Sequence, residues 1–374
     1  MGIGIMSELK TNKISTNDQN NVAIDNALGL KSYDTAGRNA LTSVAGDMIY
    51  NTSDSKVQVH NGSAWEDVGS ADPLEVSYLV IAGGGGSAGA RGGGSGGGGA
   101  GGYINSYASE NSGGGSSTAP KSKVFLGQSY TVTVGGGGTA GANAYNGTGG
   151  YGGDSQFDTV VAIGGGGGGG SGEDKPHPGG SGGGQGAALD PDAYNDGAAV
   201  RFHERGMGAR NQGKNGGYCV RIGTSGNIPA GGGGGSAGNG GNGSGTSGGN
   251  GGNGTASSIT GTPVTRAGGG GGGGFQGSGG TGQGGGGNGK NSTGSSQGSG
   301  SAGTVNTGGG GGGGTSLHTN AYSGKTGGSG IVILRYSNDY TITLAGGASS
   351  TAGEQTNGTD KYIEIQTTGT VSWA

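Results

Sequence analysis

Cysteine occurs once, at Cys219, so no disulfide can close within the chain and the covalent staple of small secreted scaffolds is excluded. Proline occurs seven times, and the 109 glycines follow no strict Gly-X-Y period, which excludes a collagen triple helix. Charged residues make up 11% of the chain and the net charge is -4, too little for self-repulsion to keep the chain expanded. The balance is slightly acidic, with no electrostatic footprint for nucleic acid. The longest apolar run, around residues 78–82, is far short of a membrane span. Residues 1–6 have no basic region and too little apolar length for a signal peptide, and Met6 stands where a myristoylation site wants Ser or Thr. If the protein works outside a cell, the expectation is that it leaves by lysis or on a particle, with Met1 or Met6 as its start.

What the chain has is glycine, and Gly/Ser richness usually means linker or disorder. Here the glycine blocks recur and are bounded by apolar or aromatic residues. Blocks begin at Gly83, Gly135, Gly164, Gly231, Gly268 and Gly308, several directly after a strand-like run. A tether needs no such punctuation. The arrangement that makes physical sense is polyglycine II, an extended helix of three residues per turn with about 3.1 Å rise and no internal hydrogen bonds. Laid side by side, such helices satisfy one another's amides, and only glycine permits the close approach. Residues 238–254 carry a rough three-residue rhythm of asparagine and glycine that fits one outward edge per turn.

Around the blocks the period is two. Residues 46–52 and 56–60 alternate, and the second run ends at an Asn61-Gly62 turn signal before Trp65, which spells a hairpin with a return strand. Residues 76–82 and 331–336 are β-branched and aromatic, suit doubly covered central strands, and are expected to pair so that the domain begins and ends in one sheet. Residues 129–134 alternate with Tyr130, Val132 and Val134 on one face. Residues 158–163 form another candidate strand and 218–222 a weaker one, and 340–344, 361–365 and 369–373 three more. Residues 7–30 read as short strands and loops. The fold class expected is all-β: a short amino-terminal hairpin region, β-strands with packed polyglycine II helices, a small carboxy-terminal β region and almost no α-helix. The domains expected are 1–40, a polar segment; 41–74, a hairpin connector; 75–337, the glycine-rich domain; and 338–374, a β-strand cap.

The YNT and NGSAW strings at 50–52 and 61–65 resemble an element near the amino ends of phage tail-fibre proteins, marine phages especially. The ordered set GGYI at 101–104, YTVTVGGGG at 130–138, GGDSQF at 152–157, NTGGGGGGG at 306–314 and GGSGIVILRY at 327–336 resembles the glycine-rich domain of phage adhesins. It is similar in character to the tail-tip adhesins of T-even-like phages. That resemblance implies a receptor-binding protein located on a virion that adsorbs non-covalently to a host outer-membrane protein or surface glycan. It also implies that 1–40 is a virion-attachment segment docking to other tail proteins, that 75–337 is the adhesin domain, and that the protein is a homo-oligomer, with a trimer favoured although the T-even-like tip adhesins act singly.

Catalytic signatures are missing. G-x-G-x-x-G recurs by composition without a βαβ pattern. The near P-loop at 284–290 has Asn291 in place of Ser/Thr, and the one ending at Lys325-Thr326 has Thr319 for its first glycine. His60, His177, His203 and His318 lack metal-ligand spacing, and Asp190, Asp192 and Asp196 lack the closing Glu of a calcium loop. No enzyme activity, cofactor or metal is expected, and no nucleic-acid partner. Side chains return in three islands, 105–123, 187–228 and 315–325. Aromatic and arginine enrichment there marks candidate receptor contacts: Tyr107, Tyr194, Arg201, Phe202, His203, Arg205, Tyr218, Arg221, His318 and Tyr322. The plainer reading of the same side chains is that they cap scaffold ends or line a subunit interface. Rival functions are a structural filament or virion decoration subunit, an ice-binding protein with regular Thr ladders, and a polysaccharide depolymerase.

Overall fold

A computed structural model describes residues 29–68, 73–144, 147–170, 175–187, 204–219, 228–293, 296–316 and 320–374. The chain divides into two compact units, Met1–Asp72 and Pro73–Ala374. The short strands expected within 7–30, and most of the expected attachment segment, lie outside the described residues.

In the first unit Met48–Asn51, Lys56–His60 and Trp65–Asp67 form an antiparallel ribbon, joined by Ser32–Tyr33 running parallel to the first of these. Asn61 sets the second turn. Its Oδ1 accepts from the Ser63 and Ala64 amides at 2.9 and 2.8 Å, and Gly62 takes φ 106°. One helical turn, Thr35–Asn39, is capped by Asp34, whose Oδ1 accepts from Gly37 N–H at 2.7 Å. Buried Asn51 donates to Gln58, which also receives Arg38, so the polar groups under this small sheet are paired.

The second unit is nearly all β at one end. Leu74–Ile81 pairs antiparallel with Ile331–Ser337, as the two bracketing runs led us to expect. Gln355–Asn357, Asp360–Ile365 and Tyr103–Asn105 complete that sheet, with Ser122–Val124 beside the start of Leu74–Ile81. A second sheet runs Val160–Ala162, Ser155–Phe157, Tyr130–Thr133, Gly369–Trp373, Ile342–Ala345. Alternation explains how they meet. Tyr78, Val80, Val332, Leu334 and Ile365 face Val132, Phe157, Val371 and Trp373 across one core. Trp373 is the hub, with the rings of Tyr130, Phe157 and Tyr336 about it at 6.0, 6.3 and 5.8 Å. The opposite face of the first sheet, Leu79, Ile81, Tyr103, Ile331 and Ile333, packs on Ala100, Ile259 and Ala267. The central strands are therefore covered on both sides, which is why their apolar runs are continuous. Residues 338–374 supply strands to both sheets.

Several strands then run into glycine, and there the pairing changes from two neighbours to six. Along residues 83–89 the donors take partners in threes. Gly83, Gly86 and Gly89 donate to Gly153, Gly150 and Gly147; Gly84 and Ser87 to Gly328 and Lys325; Gly85 and Ala88 to Gly99 and Gly96. The same segment accepts from Gly138 and Gly141, from Gly165 and Gly168, and from Gly311. This threefold rotation of partners is the signature of three residues per turn, and the surrounding segments form a hexagonal array. Residues 95–102, 230–236 and 267–274 are surrounded in the same way. Few block glycines have positive φ, so most are not there for backbone freedom. They are there because a Cβ would enter a neighbour's carbonyl, Gly309 for Gly84 and Gly311 for Gly270.

At the rim a helix lacks its sixth neighbour, and asparagine replaces it. Asn239 and Asn242, three apart, turn Oδ1 onto the amides of Asn215 and Tyr218 at 3.2 and 2.9 Å. Asn250 does so for Thr281, and Asn288 and Asn291 for Gly282 and Gly279, each at 2.8 Å. The expected strand at 218–222 is corrected here. Tyr218 and Cys219 carry no strand, because Gly217 donates to Gly232 and draws the segment into the array; residues 220–222 lie outside the described residues.

The array predicts opposite outcomes for adjacent residues. A Cβ on Gly137 collides with the Gly327 carbonyl, whereas one on Gly136 meets nothing within 4 Å. Gly137→Ala should cost about 1–3 kcal/mol by overpacking, while Gly136→Ala should be neutral or stabilising by up to about 1 kcal/mol. Denaturant unfolding of the two variants measures both. The core also fixes a pH dependence. Burial raises the hydroxyl pKa of Tyr336, Tyr103 and Tyr78, helped at Tyr336 by its 2.6 Å bond to Glu354 and at Tyr103 by the charge of Glu110. Unfolded tyrosines lose their proton near about pH 10 while these stay protonated, so the unfolded state binds fewer protons and stability falls above that pH. Thermal melts from pH 8 to 11 should be level and then decline, and less steeply in Tyr336→Phe.

Candidate functional site

The threefold period decides which side chains of the array reach solvent. In residues 147–153 the amides of Gly149 and Gly152 donate to Gly168 and Gly165, and those of Gly150 and Gly153 to Thr139 and Gly136. The third edge, Thr148, Tyr151 and Asp154, is left facing outward. Tyr151 is 54% exposed although the backbone on both sides of it is locked into the array.

Four segments meet around this ring. His177, held by its amide on the Gly167 carbonyl at 2.9 Å, stacks on Tyr151 with centroids 4.4 Å apart and planes 7° from parallel. Asp154 sits one turn along, with Oδ1 accepting from Gly164 N–H at 2.7 Å. Ile163, its amide donating to Gln212 Oε1 at 2.8 Å, is 41% exposed. Met207 is 57% exposed and tied through its carbonyl to Gly179 N–H. Tyr151, Asp154, Ile163 and Met207, with Pro178, Ala209 and the bare backbone of the intervening glycines, line an open pocket of about 490 Å³, and His177 backs the Tyr151 ring. The lining carries one carboxylate and no basic group. A second groove of about 400 Å³ lies on the asparagine rim, walled by Thr281, Asn288, Lys290, Asn291, Ser299 and Ser301. The first suits an apolar face with few polar groups, the second a hydrated one. Among the described residues no group of His, Cys, Asp or Glu is arranged to hold a metal ion.

Of the candidate contacts, Arg205 and Tyr218 come together, the guanidinium 5.0 Å above the ring. Tyr107 covers Arg335 at the same distance, and Arg335 is itself fixed by Asp360 and the Ile259 carbonyl, so this ring is engaged within the fold. Tyr322 lies half-buried in Ala321–Tyr322, paired with Ala90–Arg91. Tyr194, Arg201, Phe202, His203, Arg221 and His318 lie outside the described residues. Sequence reasoning singled out neither Tyr151 nor Ile163 as contacts. The available signal was the spacing of Thr148, Tyr151 and Asp154 by three within an otherwise glycine-rich stretch.

A family profile described as Glycine-rich domain matches residues 61–337. Comparison with curated proteins returns no match. The matched stretch holds the whole hexagonal array and stops where Ile331–Ser337 ends, ahead of the carboxy-terminal strands that share its sheets. The chain belongs to the glycine-rich domain family.

Proposed function

We propose that the protein is a receptor-binding adhesin of the phage tail-fibre or tail-tip kind, attaching a virion to a host cell surface by non-covalent adsorption. The observation that carries this is the Tyr151 pocket: large exposed side chains held on a backbone that cannot adjust. A surface of this kind meets its partner with little ordering cost. The loops between glycine helices, and Arg205 and Tyr218 on a segment drawn into the array, supply further contacts, as expected of recognition built on a rigid scaffold. The amino-terminal segment docks to other tail proteins, and several copies, as a trimer, would multiply a weak single-site affinity. No catalytic step is part of this function. No helix among the described residues is long and apolar enough to cross a membrane.

Two rivals receive less support. A filament built by stacking arrays needs open backbone at the rim, and asparagine side chains occupy those amides. An ice-binding face needs regular threonines, and the described rim carries Thr281 among asparagines.

Purified protein, incubated with host cells before phage is added, should protect them at saturating dose. Tyr151→Ala and Met207→Ala should each shift the protective dose upward by about tenfold, the size of one lost contact of about 1.4 kcal/mol. Absence of protection by the unaltered protein would remove the adhesin function.

A further inference from the structure

We infer that the Tyr151 pocket takes an uncharged sugar ring, the exposed unit of a surface glycan. The inference rests on the attachment function proposed above and names the chemistry its receptor must offer at this point.

The ring of Tyr151 has one face backed by the imidazole of His177, 4.4 Å away and nearly parallel, yet it remains 54% exposed. A single open aromatic face is therefore presented in one orientation. Rotation is checked by the stacked imidazole, and translation by the glycine amides on either side that donate into the array. A flat apolar platform of this kind matches the face of a pyranose ring that carries its C–H bonds, whose partly positive hydrogens meet the negative face of the arene. Met207 and Ile163 extend the platform.

A sugar also needs an acceptor at its edge, and Asp154 provides one. It follows Tyr151 by one turn of the same outward edge, about 9 Å along the axis. Its Oδ1 is committed to Gly164 N–H at 2.7 Å, which fixes the carboxylate and leaves Oδ2 for a ligand hydroxyl. The volume of about 490 Å³ has room for a saccharide unit, falls within the range of small-molecule sites, and is too small for a folded element of a partner.

Charge narrows the class further. The lining has Asp154 and neither Lys nor Arg, so a phosphate, sulfate or uronate finds no counter-charge and meets a like one. Of the basic side chains close to the lining in sequence, Lys175 pairs with Glu204 at 2.8 Å and Arg205 lies on Tyr218, while the exposed Arg210 follows Ala209 without lining the pocket. An alkylammonium is the other ligand to which a carboxylate and an aromatic ring would appeal. Such cations are held in a box of several rings, whereas this site has one ring with one free face.

Saturation-transfer NMR on the full-length protein tests this with methyl glycosides of glucose, galactose, mannose and N-acetylglucosamine, with glucuronate and choline as charged counterparts. At least one neutral glycoside should receive saturation at its ring protons. The signal should vanish in Tyr151→Ala, persist in Tyr151→Phe, and weaken about tenfold in Asp154→Asn, where Oδ1 survives for Gly164. Glucuronate should bind more weakly than its neutral parent. The inference fails if no neutral glycoside is saturated at about 10 mM, if the signal survives Tyr151→Ala in a protein with unchanged melting, or if choline alone binds. The cell-protection assay separates the two levels. A protein that protects cells while ignoring every glycoside overturns the sugar and leaves the adhesin. One that binds a glycoside without protecting cells overturns the adhesin and leaves the sugar.

Discussion

The lateral amide bond between glycine helices is the interaction on which everything else depends. An extended threefold helix has no hydrogen bonds of its own, so each N–H and C=O must be satisfied from outside or left wet. Residues 83–89 answer this by rotating through three acceptor segments and serving three donor segments. One such bond contributes only about 1 kcal/mol net, but an unmade one in the interior costs more, so the array is stable as a whole and intolerant locally. Side chains are the hazard in this packing: a single Cβ at Gly84 or Gly270 strikes a neighbouring backbone. Conventional cores resist lost volume, and this one resists added volume at most of its glycines.

The β-sandwich solves the problem the array cannot solve for itself. Glycine buries little apolar surface and loses the most chain entropy on ordering, so a bundle of glycine helices begins at a thermodynamic disadvantage. Leu74–Ile81 and Ile331–Ser337 bury their apolar side chains on both faces and fix the register of the glycine segments that adjoin them. Trp373, close to the end of the chain, closes that core. The array then needs only rim treatment, which asparagine supplies by standing in for the absent neighbour's carbonyl. Edge amides so occupied also offer no template for another copy, the same device by which sheet proteins blunt their edges.

Legibility in the sequence followed the length scale of the interaction. Strand positions were readable because alternation is local: Tyr130, Val132 and Val134 point one way whatever lies opposite. The pairing of 74–81 with 331–337 was readable because both runs are doubly apolar and bracket the glycine blocks. The three-residue rhythm of Asn239, Asn242, Asn250 and Asn253 was visible too, as an outward edge. Which block touches which was not, since every glycine block looks alike and partners are set by the route of the chain. The pocket was hidden for that reason. Tyr151, Ile163, His177 and Met207 belong to four segments that only the array brings together. Tyr107 shows the converse: an aromatic in a polar island draws the eye, and its ring is engaged with Arg335 inside the fold.

Hydrogen exchange of individual glycine amides tests the array most directly. Gly84, Gly85, Gly98, Gly99, Gly233 and Gly270 donate to neighbouring segments from buried positions and should exchange at least about a thousandfold more slowly than in a free peptide, which corresponds to about 4 kcal/mol of protection. Exchange at these sites as fast as in a free peptide would mean that the glycine segments do not bind one another, and no rigid body would hold Tyr151 in place.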